Sequence, residues 1–189
     1  TFTADIADDL SIGRVTSHGT ADGSLTLGSN STVNLGTAAA PATLNIGWNQ
    51  VTSVGLSGNA NGVLDTTAGS FAAELSTLTI GRTVNRGTAS GDLTIGGAAY
   101  TTADTATIGV GSGGSGTVTF LDAFSGSFSA TTVNFSNGTF DIGSNTLTID
   151  SAGPIAVNTF NLAGGTLTGN VVNLTTGAFN FTGGVLAVN

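Results

Sequence analysis

The chain has 189 residues, only 7% of them charged and 39% hydrophobic, with thirty glycines, no cysteine and a net charge of −8. Eleven acids against three arginines give a surface that repels phosphate backbones and anionic lipid, which excludes nucleic acid and the membrane surface as partners. Without cysteine there is neither a disulfide framework nor a thiolate metal site, and disorder is excluded by high hydrophobicity at low charge.

Abundant Val, Ile, Thr and Phe between Gly and Asn punctuation predict strands throughout. No stretch reads as a signal peptide or a spanning segment, so this segment is not expected to insert in a membrane. The chain starts at Thr1, has no methionine and ends at Leu186-Ala187-Val188-Asn189 inside a strand pattern, which reads as a piece of a longer exported polypeptide.

Residues 1–9 offer only two adjacent carboxylates, Asp8 and Asp9. The stretch from Leu10 to Gly28, LSIGRVTSHGTADGSLTLG, then returns 68 residues later as LTIGRTVNRGTASGDLTIG, Leu78 to Gly96. A partial copy, LNIG at 44–47, lies midway. Fixed-interval self-similarity marks a repeat architecture. The unit is apolar–polar–apolar closed by glycine: LSIG at 10–13, LTLG at 25–28, VNLG at 33–36 and LNIG at 44–47. Period-2 alternation turns the apolar pair inward, so Ser11, Thr26, Asn34 and Asn45 are expected to face solvent. The glycine supplies the positive φ of a sharp corner.

Between 48 and 77 the pattern weakens. Val51 to Leu56 and Val63-Leu64 read as strands, and Phe71 to Leu75 as a short strand or a helical turn. The unit returns at 78–81, 93–96 and 106–109, Gly109 to Gly116 reads as a wide turn, and strands resume at Val118.

In the last third, apolar triplets begin at Val133, Phe140 and Leu147, and again at Val172, Phe179 and Leu186, with Phe160 and Leu167 between them. Phe140, Phe160 and Phe179 recur every 19 to 20 residues. Three short strands and three turns per coil of about 20 residues make a three-sided parallel β-helix, here one domain over 1–189. The 34-residue interval of the N-terminal half is assigned to loops bulging from one corner, Val15 to Ser24 and Thr83 to Asp92. A single coil buries too little to offset its own ordering, so coils must stack.

Thr26, Asn34, Asn45, Thr79, Thr94, Thr107, Asn134, Asn161, Asn173 and Asn180 fill the outward middle position and should stack in ladders, as suits a solvated parallel sheet. An ice-binding face would need paired Thr-x-Thr rows, and here single threonines alternate with buried aliphatics. Arg14, Trp48 and Arg82 share one repeat position and should stack as an Arg–Trp–Arg column. It reads as local packing of the turn or, alternatively, as a sugar platform. His18, the single histidine, aligns with Arg86 in the repeated corner. A catalytic histidine would need a placed acid, and Asp8, Asp9 and Asp22 are the acids near it in sequence.

The Ca²⁺-binding nonapeptide and the EF-hand loop do not occur, so neither cofactor nor metal is expected. Asn-x-Ser/Thr sequons start at Asn30, Asn134, Asn137, Asn173 and Asn180, a number that so Asn- and Thr-rich a chain yields by chance.

LTIGR…GTASGDLTIGG, and FNLAGGTLTG with FNFTGGVLAVN, resemble the repeats of bacterial autotransporter-associated β-strand proteins, which are built like autotransporter passenger domains. The resemblance covers most of residues 10–189. It implies an exported, β-helical protein of the cell surface or extracellular space, with no catalytic residues to carry over. The function expected is therefore a non-enzymatic structural fibre component, associating with itself or with flanking repeats. An adhesin or glycan-binding module, meeting a surface polysaccharide through the corners at 14–24 and 82–92, is the alternative. A β-helical polysaccharide lyase or hydrolase is a third, and it requires His18 to lie near Asp8 and Asp9.

Overall fold

A computed structural model describes residues 2–53, 55–96, 99–122, 124–150 and 152–188. Among these the chain forms strands and no helix. The first six strands are β1 (Phe2–Ile6), β2 (Asp9–Val15), β3 (Gly19–Thr26), β4 (Ser31–Leu35), β5 (Ala42–Asn49) and β6 (Gly58–Asp65). Next come β7 (Ser70–Thr83), β8 (Gly87–Ile95), β9 (Ala99–Ile108), β10 (Gly114–Phe120), β11 (Ser127–Phe135) and β12 (Gly138–Asp141). The last are β13 (Thr146–Ile149), β14 (Ile155–Leu162), β15 (Thr166–Gly169), β16 (Val171–Leu174), β17 (Ala178–Phe181) and β18 (Val185–Val188).

Neighbouring strands pair in parallel, in one sheet of eleven strands and one of seven. The larger sheet supplies two sides of a coil, because its long strands turn a corner without breaking. Thus β7 pairs with β4 through Ser70–Ala73 and with β5 through Leu75–Thr83. The seven-stranded sheet, β3-β6-β8-β10-β12-β15-β18, is the third side. The chain is a parallel β-solenoid.

Inward residues stack coil on coil. On the second side one column runs Leu10, Leu44, Leu78, Ala106, Val133, Phe160, Phe179, and the next runs Ile12, Ile46, Ile80, Ile108, Phe135, Leu162, Phe181. On the third side Leu25, Leu64, Leu93, Val118, Phe140, Leu167 and Leu186 stack likewise. These columns meet in one core that runs from Ile12 to Leu167. It is aliphatic at first and aromatic later, where Phe120, Phe128 and Phe140 pack with centroids 5.4 to 6.4 Å apart. With seven levels about 4.8 Å apart, the stack is about 30 Å long.

The corner glycines behave as the repeat unit requires. Gly13, Gly47, Gly81 and Gly109 stack with φ of 65, 64, 60 and 62°. A Cβ at any of them would overlap a backbone carbonyl of the facing side, that of Asn61, Ser90, Ser115 or Asn137.

Five expectations need correction. The coil interval on the second side is 34 residues twice, then 28, 27, 27 and only at the end 19. Phe140 does not stack with Phe160 and Phe179. It belongs to the third side, and it meets Phe160 edge-on across the core at 5.4 Å. The cause is an inserted strand: β13 and β14 both join the first side in succession, Leu147 beside Ile155, and this mimics one seven-residue side.

The stretches Val15 to Ser24 and Thr83 to Asp92 are not bulging loops. Only 16–18 and 84–86 turn, and the rest is strand. Nor is Gly109 to Gly116 all turn, since β10 starts at Gly114, whereas 51–53 and 55–56 are irregular rather than strand, with Val54 outside the described residues. Phe71 to Leu75 is strand, part of β7.

Candidate binding ridge

Past the glycine corner, β2, β5 and β7 do not end. They run on through Arg14-Val15, Trp48-Asn49 and Arg82-Thr83, opposite the starts of β3, β6 and β8. The two layers make a flap with its own small core of Val15, Val51, Ala60 and Ala89. Asn49, wholly buried, ties it together. Its Nδ2 donates to the carbonyls of Gly58 and Arg86, and its Oδ1 accepts from the Val51 N–H. Sequence reasoning missed Asn49, although a polar residue at a position held by Val15 in the previous coil was the available signal.

The expected Arg–Trp–Arg column is present. Arg14 pairs with Trp48, and Trp48 with Arg82, in continuous register on the outer layer of the flap. The Arg14 guanidinium lies 4.9 Å from the centroid of the indole, and its Nη2 donates to Gln50 Oε1 at 2.7 Å. Gln50 is a second partner that sequence reasoning did not identify. A pyranose platform on that face of Trp48 is therefore taken by Arg14.

His18 and Arg86 lie in the turns that close the flap, one residue before Gly19 and Gly87, which share a column through Gly58. His18 Nδ1 sits 3.0 Å from the Ser57 carbonyl oxygen, and both residues are exposed. Asp9 opens β2 and His18 follows its far end, on the other side of the Gly13 corner. Among the described residues no hydrogen bond joins His18 to Asp8 or Asp9. Among the described residues, no three His, Asp or Glu side chains converge as metal ligands do.

The outward residues stack in four columns, two of them on the first side. Ser11, Asn45, Thr79, Thr107, Asn134, Asn161 and Asn180 form one. Within it Asn161 Nδ2 donates to Asn134 Oδ1, and Asn180 Nδ2 to Asn161 Oδ1, each at 2.8 Å. Thr26 and Thr94 flank Asp65 on the third side. On the first side Asn34 donates to Asp5 and Asn173 pairs with Thr148.

One expectation fails here: Asn45 and Thr79 are buried, each 2% exposed, not solvent-facing. Asn45 is sandwiched between Ser11 and Thr79 in the column, and it donates to Ser11 Oγ. Its Oδ1 and the Nε1 of Trp48 are enclosed without a hydrogen-bond partner.

No protein-family model, curated protein or solved structure matches the chain.

Proposed function

We propose that the protein is a structural component of an extracellular fibre or cell surface, a self-associating β-solenoid that performs no catalysis. The observation that carries this reading is the parallel stack itself, in which each coil offers its edges and apolar rows to the next repeat or copy, as the last coil of this segment illustrates. The strands of that coil, β16, β17 and β18, each have a partner on one side only. They leave Leu174 62%, Phe181 53%, Val185 53% and Leu186 41% exposed. Unpaired, apolar parallel edges are templates for further strands. No charged residue occurs over 151–189.

The N-terminal coil of a second copy fits the opening. In register, Phe181 meets Ile12 and Leu186 meets Leu25. Ser11 continues the polar column above Asn180, whose Nδ2 is already engaged and whose Oδ1 remains to accept the serine hydroxyl. Export to the cell surface rests on the resemblance of the repeats to autotransporter-associated strands.

Sedimentation velocity across a concentration range tests the reading. The wild-type chain is expected to form a ladder of larger species that Phe181→Lys and Leu186→Lys abolish. A single species at every concentration would overturn it, as would assembly that both lysine variants leave unchanged.

A further inference from the structure

The flap gathers what the rest of the molecule lacks. All three arginines of the chain and its one histidine lie on it, while the chain as a whole carries eleven acids. Arg14 and Arg82 stand two coils apart on one outer layer, with Trp48 between them. Two coil spacings put their backbones roughly 10 Å apart along the axis. Arg86 stands in the turn beyond Arg82. Among the described residues no carboxylate pairs with any of the three. Of the acids on the facing layer, Asp22 accepts from Asn61, and Asp92 stands one residue beyond Gly91.

Arg14 is also held in place, its plane set by the indole and one terminal nitrogen by Gln50. The remaining N–H donors of that fork are left for another acceptor. An isolated solenoid does not need this construction: the last two coils close their second-to-third-side corner in seven residues with no flap.

We propose that this ridge binds an acidic polysaccharide, with Arg14 and Arg82 each taking a carboxylate or sulfate of the same glycan strand. The spacing chooses the ligand. Duplex DNA presents a charge about every 1.7 Å, and the field of the acidic remainder opposes so dense a polyanion. A glycan with one charge per sugar or per pair of sugars places fewer anions against that field and can match two guanidinium groups two coils apart. The Arg14 side of the indole is covered, so recognition rests on charge-assisted hydrogen bonds rather than on sugar stacking. Neutral glycans are therefore not ligands. This surface is distinct from the coil end, and binding here stands or falls independently of self-association.

Isothermal titration of the chain with polygalacturonate, chondroitin sulfate, dextran and a duplex DNA oligonucleotide tests the proposal. At least one of the two acidic glycans is expected to bind, with affinity falling as salt rises, and dextran is not. Arg82→Ala leaves the Arg14–Trp48 contact and the thermal unfolding midpoint unchanged, and it should weaken binding about tenfold. Arg14→Lys keeps the charge but loses the planar fork, and it should also bind more weakly than wild type. Equal binding by Arg82→Ala, binding of dextran, preference for the oligonucleotide, or no binding to either acidic glycan would each overturn it.

Discussion

At Gly81 the backbone stands at φ 60°, and a methyl group there would overlap the Ser115 carbonyl oxygen. Two costs therefore add in Gly81→Ala: left-handed strain of about 1–2 kcal/mol, and displacement of one side of the coil from another. Urea unfolding should show a loss of at least about 2 kcal/mol, whereas Gly28→Ala, whose Cβ would meet only Ser31 Oγ at 3.7 Å, should stay within about 0.5 kcal/mol. Equal midpoints for the two would contradict the corner geometry.

Trp48 poses the opposite case, an enclosed indole N–H with no acceptor, a cost of about 1–3 kcal/mol. Trp48→Phe keeps a ring beneath Arg14 and removes the donor, so its thermal midpoint is expected at or above that of wild type. A clear drop would mean that the N–H has a partner. The corner glycines and the Arg–Trp–Arg register were legible in the sequence, because identical residues recur at one interval. The burial of Asn45 and Thr79 was not, since alternation assigns a face and says nothing of what closes over it.

Among the elements, the flap depends on one side chain. Asn49→Ala would leave the Gly58 and Arg86 carbonyls and the Val51 N–H without their present partner, inside a core of only four small apolar residues. Unfolding should lose about 2–3 kcal/mol. Hydrogen exchange should quicken over 14–24, 48–62 and 82–92 while β11 to β15 stay protected. Uniform acceleration would show that flap and coil open together.

Sequence reasoning placed this region at a corner and mistook its strands for loops. Gly, Ser and Ala, which dominate 19–24 and 87–91, carry weak strand propensity. They hold the extended form only because three coils stack them and the facing layer covers them. The inserted strand β13 escaped notice for a different reason. Its spacing equals that of an ordinary side, so periodicity alone cannot tell a coil that advances from one that doubles back.

On the scale of the whole molecule, composition and repeat were enough to find a parallel solenoid, because stacking is what makes so short a unit stable. They were not enough to find its asymmetry. The N-terminal coil bears Asp5, Asp8 and Asp9 and leaves Phe2 58% exposed, while the C-terminal coil carries no charged residue. A stack grown from such subunits has a direction, head on tail, and its cross-section should widen periodically where each flap projects. The most direct test is negative-stain electron microscopy of the purified chain over a concentration series. Filaments of one width that lengthen with concentration, marked by a bump at each subunit, are the predicted result. Isolated short rods at every concentration would contradict axial self-association.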